Sequence, residues 1–151
     1  MYQLAQINVA RLLYPIDSPE LSGFTSRLDA VNALAEVAPG FVWRLKGDGN
    51  DATSLRPFPD PEMIVNMSVW DSVDALFDFT YRLADHAAVM RGRRDWFARP
   101  TGAHMVLWWV PAGHLPTLTE ARERLDHLDR HGPTPHAFTF KDRFAVPATH
   151  P

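Results

Sequence analysis

The spacing of hydrophobic positions along this chain changes several times, and each change marks an element. Residues 2–9 alternate: Gln3, Ala5, Ile7 and Val9 fall on one side of a strand, with Leu4, Gln6 and Asn8 on the other. A loop with Pro15 and Pro19 follows, and then the period lengthens. Phe24, Leu28, Val31, Leu34 and Ala35 recur at helical spacing over about residues 24–38, and Pro39-Gly40 stops the run. Residues 41–46 read as a second strand, with Phe41, Trp43 and Leu45 on one face. A Pro- and Gly-rich loop spans 47–61, a length often tied to function or mobility. In the third strand, 62–70, Met63, Val65, Met67 and Val69 form an apolar side, and Ile64, Asn66, Ser68 and Trp70 a mixed one.

Asp71 or Ser72 is placed to cap a helix carrying Val73, Leu76, Phe77, Thr80 and Tyr81. A second helical piece, about 87–97, sets Val89, Met90, Trp96 and Phe97 beside Arg91, Arg93 and Arg94. Residues 103–110 are nearly all apolar, which predicts a central strand covered on both faces. Thr117, with Glu120 three residues later, opens a last helix as a capping box. Its apolar stripe is narrow (Leu118, Ala121, Leu125, Leu128) and Gly132-Pro133 ends it. The tail 137–144 alternates in part and fits a short extra strand.

The order β-α-β-β-α-β predicts an α+β fold of ferredoxin-like type, with an appended C-terminal helix and tail, in one domain over 1–151. Such a sheet carries its helices on one face and leaves the other to be covered. Trp43, Ile64, Trp70 and Trp108 are expected on that other face. A second copy of the chain is the simplest cover, so a homodimer is expected.

Composition narrows the function. The 151 residues suit one domain of ordinary size. A net charge of −3 gives no reason to expect a nucleic-acid partner. The absence of cysteine excludes disulfides, thiolate metal sites and a Cys nucleophile. No secretory leader is evident at the N-terminus, and no stretch approaches the apolar length of a membrane span, so a cytoplasmic protein without a membrane partner is expected. Five tryptophans are many for this length, and Trp often lines pockets or interfaces.

Two stretches resemble known families. Asn66-Met67-Ser68-Val69-Trp70-Asp71-Ser72-Val73-Asp74-Ala75-Leu76 is similar to the strand-to-helix turn of the dimeric α+β barrel superfamily, which includes antibiotic-biosynthesis and haem-degrading monooxygenases. His86 to Phe97, Leu107 to His114, Glu120-Ala121, Arg124-Leu125 and Gly132 to Phe140 resemble the bacterial family known as domain of unknown function 3291. That resemblance covers nearly the whole chain. The superfamily's quinone-forming members use a strand Asn and a Trp without metal or flavin, and the resemblance implies that role for Asn66 and Trp70.

The candidate site residues follow. Asn66 and Trp70 are four apart on a strand, so they share a face. An Asn amide there could bond a phenolate or peroxide oxygen, and Trp offers a flat wall, as could Trp43 and Trp108. His86, between two helical pieces, could move protons or ligate haem. Arg91 could pin a carboxylate or propionate. His104 and His114 bracket the fourth strand, and His104 is expected to share a face with Trp108. Capping, packing or solvated roles are open for each of these residues. His127, His131 and His136 invite a metal reading, but HExxH is absent and no third ligand is placed, so no metal site is expected. Dinucleotide, P-loop and nucleophile-elbow motifs are absent. The leading expectation is an enzyme acting on an aromatic or polycyclic apolar substrate, by cofactor-free monooxygenation or acid–base chemistry. Haem binding or degradation, and non-catalytic ligand binding or a stress-response role, are the alternatives.

Overall fold

A computed structural model of the chain describes residues 1–47, 62–83, 95–100 and 102–147. Four strands, β1 (Tyr2–Arg11), β2 (Phe41–Arg44), β3 (Met63–Trp70) and β4 (Met105–Pro111), form one sheet in the order β2-β3-β1-β4. Every neighbouring pair is antiparallel. Helix α1 (Ser22–Glu36) joins β1 to β2, and α2 (Val73–Asp78), continued by a wider turn over Phe79–Leu83, follows β3. This is the ferredoxin-like arrangement expected from the sequence. Helix α3 (Leu118–His131) and a tail are added after β4.

Local chemistry sets the boundaries. Ser72 Oγ accepts from the Ala75 N–H at 3.1 Å and caps α2. Thr117 Oγ1 accepts from the Glu120 N–H at 3.1 Å and caps α3. Gly132, at φ +74°, ends α3 and donates its N–H to the Leu128 carbonyl at 2.9 Å.

Strand pairing decides which side chains meet. Opposite β1 and β3 partners are Leu4–Trp70, Gln6–Ser68, Asn8–Asn66 and Ala10–Ile64 on one face. On the other face, Ala5, Ile7 and Val9 join Val65, Met67, Val69, Val106, Trp108 and Val110 in a buried cluster. Trp43 and Trp108 belong to this second face, whereas Ile64 and Trp70 pack on the first. The four were expected together. Trp43 pairs with Val69, and Trp108 with Ala5, so both share the side opposite Trp70.

The second face is not left open. Ala121, Leu125 and Leu128 of α3 pack into the same cluster as Trp108 and Val110. The apolar stripe of α3 therefore covers the area for which a second copy was invoked, and burial of these residues requires no partner chain. Strand β4, expected in the centre, lies at a sheet edge. Its apolar character has another cause: α3 covers one face, and tail aromatics cover the other. Phe138 exchanges both backbone hydrogen bonds with Leu107, at 2.8 and 2.9 Å, as a single bridge on the outer edge. The Trp109 indole donates to the Phe144 carbonyl at 3.0 Å, and Phe140 packs edge-on to Phe77 of α2. The appended segment thus wraps the β4 edge from both sides.

Candidate functional site

The helix-facing side of the sheet holds two apolar clusters with polar residues between them. One cluster contains Leu4, Trp70, Val73, Leu76 and Phe138. The other contains Leu12, Leu21, Ile64 and Trp96. Between them, pairs Gln6–Ser68 and Asn8–Asn66 cross the middle of the sheet, and Arg44 on β2 continues the Ser68 row. Polar groups at a sheet centre need internal partners or solvent.

These residues form one network. Gln6 is 2% exposed and donates through Nε2 to Asn66 Oδ1 at 2.9 Å and to Ser68 Oγ at 2.8 Å. Its own carbonyl accepts from Asn8 Nδ2 at 3.2 Å, and Asn8 also reaches Asn66 Oδ1 at 3.4 Å. Asn66 is exposed, although its strand neighbours Val65 and Met67 are buried. Oδ1 accepts from both Gln6 and Asn8, so the NH2 group is the donor that the exposed Asn66 has left to offer among the described residues. Arg44 is nearly buried and pairs with Glu36 of α1 at 2.8 Å.

The sequence places Asn66 and Trp70 on one face, and the structure agrees, but their settings differ. Trp70 is 1% exposed and donates to Ser68 Oγ at 2.8 Å. Phe79 stacks on its ring at 5.2 Å between centroids, and Phe41 meets it edge-on at 5.5 Å. No ring face of Trp70 is left to wall a substrate. Trp108 is fully buried and Trp43 half-buried, both on the opposite side of the sheet from Asn66. A pocket shared by all three tryptophans is therefore excluded by the pairing.

His104 is exposed just before β4, and its carbonyl accepts from the Val9 N–H at 2.8 Å. His114 lies on the α3 side, where Nε2 meets Glu120 Oε1 at 2.7 Å and Trp108 Nε1 donates to Glu120 Oε2 at 2.9 Å. Burial alone would raise the Glu120 pKa. Hydrogen bonds from His114 and Trp108, with the charges of His114 and Arg124, outweigh it and hold the carboxyl below its ordinary value. His86, Arg91, Arg93 and Arg94 lie outside the described residues, so the haem alternative, which rests on His86 and Arg91, draws nothing from the described structure.

Gln6, Asn8, Ser68 and Arg44 were not among the expected site residues. A signal existed for two of them: Gln6 and Asn8 alternate with Ile7 and Val9, an unusual polar side for a strand at the middle of a sheet.

The order of the sheet, the crossing helices and the polar row define a ferredoxin-like α+β protein with an oriented amide at its centre. The chain belongs to the family described as Domain of unknown function (DUF3291), whose model matches residues 3–151. No curated protein matches the sequence. Among solved structures it is similar to SnoaB, a cofactor-independent oxygenase from Streptomyces nogalater, with 17% identity, 78% of this chain and 98% of that chain covered, and a TM-score of 0.47. It is also similar to PA3566 from Pseudomonas aeruginosa, with 13% identity, 77% and 97% covered, and a TM-score of 0.48. A third is NE2512, of unknown function, from Nitrosomonas europaea, with 16% identity, 78% and 97% covered, and a TM-score of 0.46. Among the described residues no helix is long and apolar enough to cross a membrane.

Proposed function

We propose that this protein binds an aromatic or polycyclic apolar molecule on the helix-facing side of the sheet and acts on an oxygen-bearing ring. The observation that carries this reading is the exposed Asn66 amide, oriented by Gln6 at 2.9 Å, between two apolar clusters. Apolar walls with a few fixed polar groups are what a small-molecule site needs. The Asn66 NH2 group donates to a phenolate or carbonyl oxygen of the substrate and stabilises its enolate form. Two chemistries suit such an enolate. In the first it reduces dioxygen directly: a ring CH2 becomes C=O, one oxygen atom enters the ring, and the other leaves as water. In the second a proton is added or removed, as in cyclisation or isomerisation. His86 moves the proton and Arg91 pins a substrate carboxylate in this reading, which needs no metal or flavin.

The test uses a hydroxylated anthrone as probe, with tryptophan fluorescence and dioxygen uptake as readouts. Saturable binding is expected, weakened about 10- to 100-fold in Asn66→Ala, the range for a hydrogen bond to a charged group. Binding that is absent, or unchanged in Asn66→Ala, removes the site. Binding with neither dioxygen uptake nor conversion of the probe replaces the enzyme by a ligand-binding protein.

A further inference from the structure

Helix α3 carries Glu123, His127 and His131 at four-residue steps. Side chains four apart on a helix stand one above the other on the same face. After Gly132 the backbone doubles back. Thr134 and Ala137 exchange hydrogen bonds of 2.9 and 3.1 Å, and the turn they close contains His136. That turn lays His136 against the helix. Its Nε2 is 2.8 and 2.9 Å from the two Glu123 carboxylate oxygens, and its ring centroid is 4.7 Å from that of His127. One ligating atom from each of Glu123, His127 and His136 lies within 4.8 Å of the others.

We propose that Glu123, His127 and His136 form a binding site for one divalent transition-metal ion, with zinc the best match to two imidazoles and a carboxylate. Zinc binds such donors at about 2.0–2.2 Å in a tetrahedron, whose corners stand roughly 3.3–3.6 Å apart. From separations within 4.8 Å the wider ones close by at most about 1.5 Å, and the 2.8 Å Glu123–His136 contact opens to admit the ion. Glu123 and His127 also border a shallow surface cavity of about 340 Å³, lined besides by Thr119, Arg122, Asp126, Arg130 and His131, so solvent reaches the cluster from that side.

Neighbours already orient the rings. His127 Nε2 contacts Thr134 Oγ1 at 3.1 Å, and the same oxygen accepts the His136 N–H at 3.2 Å. Arg124 Nη1 donates to the His136 carbonyl at 2.8 Å and to its Nδ1 at 3.0 Å. Nδ1 is thus the accepting nitrogen, and Nε2 carries the proton given to Glu123. Metal on Nε2 moves that proton to Nδ1, so the Arg124–Nδ1 contact opens while Arg124 keeps its hold on the carbonyl. The ion replaces the proton between His136 and Glu123 and locks the turn to α3.

The site lies on the opposite side of the sheet from Asn66, is independent of the function proposed there, and is tested by binding alone. Untagged full-length protein is titrated with zinc against a chromophoric chelator, and its melting is followed with and without zinc. One equivalent is expected to bind and to raise Tm. His127→Ala and Glu123→Gln, the second keeping a hydrogen-bond acceptor for His136, are each expected to weaken binding by at least about tenfold, the cost that losing even an outer partner of a metal ligand carries. Circular dichroism of each variant checks that α3 is intact. His131→Ala is the control, because a bare pair of histidines at 127 and 131 would also attract metal. Affinity that survives His131→Ala but falls in His136→Ala supports the assignment. No stoichiometric binding, or affinity that depends on His131 and not on His136, overturns it.

Discussion

The indole N–H of Trp108 donates to Glu120 across 2.9 Å, joining the middle of β4 to the first turn of α3. A capping-box Glu ordinarily turns back to the backbone N–H at the helix start. Here the carboxylate serves Trp108 and His114 instead, and Thr117 caps alone. Trp108 is fully buried, so Glu120→Ala takes away the acceptor of its N–H. The expected loss is about 1–3 kcal/mol in urea unfolding, with a smaller loss for Glu120→Gln, which keeps an acceptor. Equal losses in the two variants would show that the indole bond contributes nothing.

The same carboxyl sets an acid limit. Its folded pKa lies below its ordinary 4.5. The unfolded chain therefore takes up the proton first as pH falls. The stability from Glu120 is fully present above about pH 4.5 and is lost as pH falls through the lower, folded value. Unfolding curves between pH 6 and 3 are expected to steepen less in Glu120→Gln than in the wild type. An unchanged pH profile would remove this account.

Gln6 tests whether the orientation of Asn66 matters, because Gln6 is buried and holds the amide from behind. Gln6→Leu fills the space but cannot donate to Asn66. The Ser68–Trp70 bond survives in this variant. Probe affinity is expected to fall toward that of Asn66→Ala, although position 6 touches no ligand. If affinity stays at the wild-type level in a folded Gln6→Leu protein, Asn66 needs no positioning.

Gly40 sits at φ +85°, and a Cβ added there would come within 2.5 Å of the Ala75 Cβ. Gly40→Ala therefore combines a left-handed backbone with a clash between the α1–β2 turn and α2. A loss of at least about 1–3 kcal/mol is expected. Adding Ala75→Gly relieves the clash and should restore part of the loss, with the backbone share remaining. Full restoration would mean that the backbone conformation costs nothing.

Leu125 is 5% exposed and belongs to the cluster that closes the second sheet face. Leu125→Ala is expected to cost about 2–5 kcal/mol by chemical unfolding. Leu125→Asp should lift α3 and expose Val106, Trp108 and Val110, so light scattering should report self-association. A variant as monodisperse as the wild type would show that α3 is not the cover.

Element order was legible because period changes and stop signals coincide at Pro39-Gly40, Ser72 and Gly132-Pro133. The shared face of Asn66 and Trp70 followed from the two-residue period of a strand. What alternation does not contain is which face of one strand matches which face of the next. Strand β4 is apolar on both sides, so nothing along it distinguished Trp108 from Trp109. Trp108 turned out to share a cluster with Met67, and Trp109 to pack with Trp70. The meeting of Glu123 with His136 was hidden for a similar reason. The helical step to His127 is visible in the sequence, but the return of the chain through Thr134–Ala137 is tertiary.

The late position of α3 has a consequence for synthesis. Strands β1 to β4 are made before residues 118–131, and chains begin to organise from the N-terminus as they emerge. Until α3 arrives, Val106, Trp108 and Val110 lack the cover that Ala121, Leu125 and Leu128 give them. A message interrupted between β4 and α3 yields a product that still encodes Asn66 and its whole network, yet is sticky. Such truncations act first on solubility and on recognition by chaperones, and only through that on chemistry.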